Sequence, residues 1–186
     1  MYPHINRYTS NLKAALDHDA INIVQELALA LQQAWEHGRY IYICGNGGSA
    51  ANAVHIANDL IYGAGVNKGT GLKVEALSAN PAVLTCLGND IGYENIFSQQ
   101  LRVKANPEDI LIVLSGSGNS QNIVNALHAG KELGMKSFAI LGYSGGRCRE
   151  IADTPIHFPI DDMQISEDLQ LIVGHICMQW LCENPA

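Results

Sequence analysis

The sequence predicts an α/β fold, a three-layer sandwich with a central, mostly parallel five-stranded sheet flanked by helices, and three observations lead there. Five short apolar runs alternate with segments of helical periodicity, the arrangement that builds parallel sheets from strand–helix units. The central runs are apolar at consecutive positions, as strands covered on both faces require. Two of those runs end in glycine- and serine-rich loops that lead straight into helical segments.

Taken in order, residues 4–37 read as one helix, with Ile23, Leu27, Leu31 and Ala34 or Trp35 on a single stripe and Gly38 placed to end it. A helix this far from the first strand suits packing against a partner subunit. Tyr40–Cys44 reads as a strand, Ser49–Tyr62 as a helix and Leu72–Leu77 as the next strand, after which Ala79-Asn80-Pro81 breaks the chain. Helical segments follow at Ala82–Leu87 and Tyr93–Val103, then the apolar strand Asp109–Leu114 and a helix over Ser120–Leu133 stopped by Gly134. Ser137–Leu141 is a strand, Gly145-Gly146 a turn, Cys148–Ala152 a short helix, Ile156–Ile160 the last strand and Ser166–Cys182 the closing helix. With no internal repeat, low-complexity tract or long linker, residues 1–186 are expected to form one domain.

The two loops carry the functional signal. Cys44-Gly45-Asn46-Gly47-Gly48-Ser49 and Leu114-Ser115-Gly116-Ser117-Gly118-Asn119-Ser120 lie 70 residues apart in the same strand–loop–helix context. The first turn of a helix leaves unpaired N–H donors and carries the positive end of the macrodipole, so it attracts anions. Glycines admit the anion close to the backbone, and serine and asparagine add neutral donors. Either run alone is also an ordinary tight turn; two in register point to a phosphate. Neither has the Lys-Ser/Thr ending of a nucleoside-triphosphate loop or the spacing of a dinucleotide fold. A small phosphorylated metabolite is expected, with no nucleotide cofactor. Ligands of such sheets sit beyond the carboxyl ends of the strands, where both loops would lie.

Composition bounds the remaining choices. The chain is 47% hydrophobic and 16% charged over 186 residues, enough apolar material for a full core. A net charge of −7 without a Lys/Arg cluster argues against a nucleic-acid partner, whose backbone needs convergent cations. Five cysteines without CxxC spacing read as reduced core thiols. No basic-then-apolar leader pattern and no run of membrane-spanning length is seen, so a soluble cytoplasmic protein is expected, without a membrane partner.

Histidines and carboxylates supply a second constellation. His55 and Asp59 are four residues apart and share one helix face, while His18, His37 and His128 have no such partner and read as surface or capping residues. Glu167 and Asp168 precede His175 by eight and seven residues. Seven nearly eclipses on an ideal helix and eight is offset by about 80°, which favours Asp168 beside His175. An irregular start to the helix over Met163–Asp168 would leave Glu167 open as well. Imidazoles and carboxylates in this number can bind a divalent metal, or act as an acid/base pair beside a sugar carbonyl. They can equally be a helix-surface pair and a core histidine; spacing leaves all three readings standing.

With these residues in hand the chain resembles the sugar isomerase (SIS) family and, within it, the phosphoheptose isomerases, over nearly its whole length. The matching stretches are Cys44–Ser49, Ala53-Val54-His55, Gly88–Phe97, Leu114–Ser120 and Val173-Gly174-His175. The resemblance implies an SIS fold and the aldose–ketose isomerisation of sedoheptulose 7-phosphate to D-glycero-D-manno-heptose 7-phosphate, which feeds surface-polysaccharide and lipopolysaccharide heptose synthesis. It implies that Asn46, Gly47, Gly48 and Ser49 line the sugar site, that Asn89 and Asp90 contact hydroxyls, and that Ser115, Gly116, Ser117 and Ser120 hold the phosphate. His55 and His175 match positions that act as metal ligands or acid/base groups, and a homotetramer with sites between subunits is implied. Two departures stand out: Asp59 where the family has glutamate, and Glu167 where it has glutamine. The shorter aspartate must reach about 1.5 Å further, or the helix must shift, and rates are sensitive to displacements of that size. A carboxylate at Glu167 suits a cation and crowds Asp59 without one.

The sequence therefore predicts an isomerase in which His175, Asp59 and Glu167 are catalytic and His55, Asp59, Glu167 and His175 can hold Zn²⁺. The acid and base remain open between His175, Asp59 and Glu167. The alternatives are an isomerase of another phosphosugar and a non-catalytic phosphosugar-binding or protein-binding regulator of the same fold, of the kind that binds a replication initiator.

Overall fold

A computed structural model describes residues 1–66 and 69–185. Among these residues, strands β1 (Tyr40–Gly45), β2 (Lys73–Ala76), β3 (Ile110–Ser115), β4 (Lys136–Leu141) and β5 (Thr154–His157) form one sheet in the order β2-β1-β3-β4-β5. Every pairing is parallel. The α-helices among these residues are α1 (Tyr2–Leu16), α2 (Ala20–Glu36), α3 (Gly48–Asn58), α4 (Pro81–Asp90), α5 (Ser98–Lys104), α6 (Gln121–Glu132), α7 (Gly146–Ile151) and α8 (Met163–Glu183).

The two-residue period of a strand divides the apolar runs between two cores. Ile41, Ile43, Ile110, Ile112, Leu114, Phe138 and Ile140 pack into one core with side chains of α2, α3 and α8. Tyr42, Cys44, Leu111, Val113, Ala139 and Leu141 pack into the other, with α5, α6 and α7. Consecutive apolar residues are thus consumed on opposite faces, and the three-layer expectation holds. The register sets Gly45 of β1 beside Leu114 of β3, so both glycine–serine loops leave neighbouring strands at the same sheet edge.

Several boundaries differ from the sequence reading, each for a local reason. Residues 4–37 are two helices, not one. Asp17, His18 and Asp19 are poor helix formers, and the Ala20 N–H, which in a continuous helix would bond the Leu16 carbonyl, goes to His18 Nδ1 at 3.1 Å. The helix after the first loop is α-helical only to Asn58 and continues as a π-turn over Asp59–Gly63. Residues 93–103 divide into a 3₁₀ turn, Tyr93–Asn95, and α5. The last strand includes Pro155, which reads as a strand breaker but is tolerated because β5 is an edge strand. The closing helix starts at Met163, capped by the Asp162 carboxylate on the Ile165 N–H at 3.1 Å, so Met163–Asp168 is regular helix. No helix among the described residues is long and apolar enough to cross a membrane.

The cysteines divide by depth. All five are free thiols, with Cys44, Cys148 and Cys177 buried and Cys86 and Cys182 exposed. Burial pushes the Cys148 thiol up to about 11 and Cys177 to about 12, and raises Cys44 further. The Cys86 thiol is raised by its hydrogen bond to Asp90. At neutral pH a chromogenic disulfide reagent is expected to modify Cys86 and Cys182 in the folded protein and the other three only after unfolding. Asp90→Asn should speed the Cys86 reaction. Rapid labelling of Cys44, Cys148 or Cys177 without denaturant would contradict the packing described here.

Candidate active site

The first loop turns at Gly47, whose φ of +56° and ψ of −123° suit glycine, and open space lies over the position a side chain would occupy. Asn46 is fixed from the side. It exchanges two hydrogen bonds with Asn122, Nδ2 to Oδ1 in each direction at 2.8 Å, and its Oδ1 also accepts the Tyr93 hydroxyl at 2.9 Å. Ser49 points the other way: it is buried, and its Oγ accepts from Gln170 Nε2 at 3.0 Å. Asn52 Nδ2 completes that joint by donating to Gln170 Oε1 and to the Glu167 carbonyl, each at 3.0 Å. The structure thus places Ser49 in the seam between α3 and α8.

The second loop is closed on itself. Ser115 is buried and its Oγ accepts the Gly118 N–H at 3.0 Å, while Ser117 Oγ accepts the Asn119 N–H at 3.3 Å. Ser120 caps α6 with extended backbone and makes no side-chain cap hydrogen bond, leaving its hydroxyl beside the helix N-terminus. Arg147, on α7, donates from its guanidinium to the Asn119 carbonyl and to Gln121 Oε1, both at 3.0 Å, and from its backbone to Asn119 Oδ1 at 3.1 Å. A cation therefore sits at the edge of a loop that already carries a helix N-terminus.

Helices α3 and α8 run side by side in the same direction, bringing the remaining groups together. Asn52 reaches Gln170, and Gly174 faces Ile56 so closely that a Cβ there would overlap the isoleucine side chain. One residue from this contact on each helix, His55 Nε2 and His175 Nε2 approach to 3.0 Å, and Asp59 Oδ2 stands 3.4 Å from the first and 3.5 Å from the second. The rings meet edge to face at 70°. Two ring nitrogens at this separation share either a proton or a cation, since two lone pairs facing each other repel. Zinc bound at about 2.0–2.2 Å in tetrahedral geometry holds its ligand atoms roughly 3.3 Å apart. The donor set is therefore of the right kind and spacing for a divalent metal. Asp59 begins the π-turn, its carbonyl accepting from Ala64 N–H at 3.1 Å, so the backbone is rewound at the residue whose side chain is short.

Not every predicted residue joins this cluster. The Glu167 carboxylate lies on the first loop, where a Cβ at Gly48 would run into it, and eight residues of continuous helix, about 12 Å of rise, separate it from His175. Asp168 is committed elsewhere: the Tyr8 hydroxyl donates to it, and that bond, before burial, raises the phenol to about 12. The eclipsed spacing that favours Asp168 beside His175 thus serves to anchor α1. Asn89 and Asp90 are exposed at the end of α4 and bond to each other at 2.7 Å, with no hydrogen bond to either loop. Gly116 packs under Met163. Sequence reasoning passed over Asn122, Tyr93, Gln170 and Arg147; a signal existed only for Asn122 and Asn125, two amides one turn apart at the start of a helix that follows a phosphate-type loop.

A parallel sheet with two glycine–serine loops at adjacent strand ends, and a histidine–carboxylate cluster between the helix that follows the first loop and the closing helix, matches the architecture of the phosphosugar isomerase class of protein. The chain belongs to the SIS domain family, whose model matches residues 4–142. It is 36% identical to the phosphoheptose isomerase of Akkermansia muciniphila over 153 residues, 82% of this chain and 80% of that protein. Among solved structures it is similar to a phosphoheptose isomerase from Francisella tularensis, with a TM-score of 0.91 at 26% identity over 98% of each chain. A phosphoheptose isomerase from Neisseria gonorrhoeae superposes with a TM-score of 0.88 at 27% identity, over 97% of this chain and 95% of that one. By this membership the chain is an enzyme of the isomerase class.

Proposed function

We propose that the chain converts sedoheptulose 7-phosphate to D-glycero-D-manno-heptose 7-phosphate for surface-polysaccharide heptose synthesis in the cytoplasm. The observation that carries the reading is the convergence of His55, Asp59 and His175 on one side of a sheet edge whose two loops suit a phosphorylated ligand.

In this reading the phosphate docks on the second loop, taking the α6 N-terminus and the hydroxyls of Ser117 and Ser120, with Arg147 adding charge at its rim. The sugar extends over Asn46, Gly47 and Gly48. Zinc or another divalent cation held by His55, Asp59 and His175 would supply Lewis-acid stabilisation of the charge that develops on the two adjacent sugar oxygens. Asp59, at the cluster, takes the proton from C1 of the ketose and returns it to C2, while a proton moves from O1 to O2, and Glu167, lying on Gly48 at the N-terminus of α3, accepts from a hydroxyl further along the sugar. Asn89 and Asp90, which meet neither loop within the chain, contact sugar hydroxyls from a neighbouring subunit. Exposed Val54 and Ile176, adjoining His55 and His175, support a second copy covering this face, as in a homotetramer with α1 and α2 in subunit contacts.

Proton NMR of sedoheptulose 7-phosphate in deuterated buffer, with and without zinc, tests this. An aldose anomeric signal should grow with the wild-type enzyme and be lost with His175→Ala. Glu167→Gln, which puts the family's residue at this position, should leave the rate within about tenfold of wild type, the scale of one hydrogen bond. Retained phosphosugar binding without any conversion would instead favour the regulator.

A further inference from the structure

We infer that Asn122 is a positioning residue that locks the first loop to the second and presents the Asn46 amide to the sugar, with Tyr93 as its outer latch. The inference deepens the isomerase reading and rests on it. Asn122 is 2% exposed and lies in the first turn of α6, the helix whose N-terminus ends the second loop. Asn46 lies in the first loop. Their paired hydrogen bonds, both 2.8 Å, use one donor and one acceptor from each amide, so the pair tolerates neither a flip of one side chain nor a shift along the strands. One turn further along α6, Asn125 Nδ2 donates to the Glu94 carbonyl at 2.9 Å and holds the Tyr93–Asn95 turn. From that turn the Tyr93 hydroxyl returns to Asn46 Oδ1 at 2.9 Å. The circuit is closed: α6 holds the first loop directly, and holds the turn whose tyrosine holds the loop again.

The consequence for the ligand follows by counting. Asn46 Oδ1 accepts twice and is saturated, whereas Nδ2 has two hydrogens and gives one to Asn122. The second N–H remains for a ligand, in an orientation fixed by Asn122. Phosphate binding at the second loop does not need this pair, but the alignment of the sugar with respect to that phosphate does. Loss of the pair should therefore appear in turnover rather than in phosphate affinity.

The test is steady-state kinetics with sedoheptulose 7-phosphate, inorganic phosphate as competitive inhibitor, and melting temperature, on wild type, Asn122→Ala, Asn122→Asp and Tyr93→Phe. Asn122→Ala should lower kcat by about 100-fold, the effect of misplacing a reacting group by roughly 1 Å, with phosphate inhibition unchanged. Tyr93 is exposed, so Tyr93→Phe should leave the melting temperature unchanged and lower kcat by about tenfold, one hydrogen bond's worth. An aspartic acid at position 122 has the donor and acceptor pattern of asparagine only when protonated. The ratio of Asn122→Asp to wild-type kcat should accordingly rise as the pH is lowered, which a loss of folding would not produce. Wild-type kcat in Asn122→Ala, or phosphate inhibition weakened in parallel with kcat, overturns the inference. If wild type itself does not turn over this sugar, the substrate reading fails separately, and the positioning claim is judged by hydrogen exchange of the Asn46 side-chain amide. Protection in wild type that is lost in Asn122→Ala upholds it, and no protection in wild type overturns it.

Discussion

Asp59→Asn is expected to lower kcat/KM by about 1,000-fold, the combined scale of lost charge stabilisation and proton handling at one site. The substitution keeps the shape of the side chain and removes its charge. Oδ2 stands 3.4 and 3.5 Å from the two ring nitrogens, so the carboxylate is the one anionic partner in the cluster. Without it, two neutral imidazoles must share a cation with a weaker amide oxygen. Zinc affinity, followed by calorimetric titration of chelator-stripped protein, should fall by more than about 100-fold, beyond what loss of an outer-shell partner costs. It should weaken further in acid for mutant and wild type alike, because an imidazole binds metal only when neutral. The fold should survive, since the substitution keeps the shape of a side chain that is 22% exposed and none of the packing described here depends on its charge. An Asp59→Asn protein with wild-type zinc affinity and turnover would remove the cluster from the mechanism.

The residues of that cluster differ in how far the sequence reveals them. His55 and Asp59 are legible because four-residue spacing is a property of any helix, and the loops because glycine, serine and an apolar run leave few other conformations. What joins His175 to them is the side-by-side packing of α3 on α8, which depends on Gly174 admitting Ile56 and on the Ser49–Gln170–Asn52 seam. No periodicity within either helix encodes a contact across 120 residues of chain. The π-turn at Asp59 is similarly hidden, since Asp59-Leu60-Ile61-Tyr62-Gly63 reads equally as the fraying end of an α-helix and nothing in it marks a five-residue hydrogen-bond step. Asp168 illustrates the converse failure. Helical geometry correctly sets it near the face of His175, but Tyr8 of α1 takes its carboxylate, and only tertiary structure reveals the competitor. The single helix expected over 4–37 fails for a local reason, because the ring of His18 competes for one backbone N–H.

The second large effect expected is structural in origin and reaches the substrate through the phosphate loop. Gly118→Ala should destabilise the protein by about 2–4 kcal/mol, roughly 5–15 °C in melting temperature for a chain of this size. Gly118 has a φ of +65°, where a side chain costs about 1–2 kcal/mol. The added Cβ would also overlap the Gly145 carbonyl, a backbone atom that cannot rotate away. Gly146 meets the Ser117 carbonyl in the same manner from the opposite side, and the Cys148 N–H donates to the Gly118 carbonyl at 3.0 Å. The second loop and the turn before α7 are thus interlocked backbone to backbone. Relief of the collision must separate them, which draws Arg147 off the Asn119 carbonyl and opens the arc of Ser115, Ser117 and Ser120 around the α6 N-terminus. KM for the phosphorylated sugar and the inhibition constant for inorganic phosphate should therefore rise together, the opposite signature to Asn122→Ala, where kcat falls alone. Thermal denaturation and phosphate inhibition of the same variant decide it: an unchanged melting temperature would show that the interlock yields without strain, and a lower melting temperature with unaltered phosphate inhibition would show that the anion is held elsewhere.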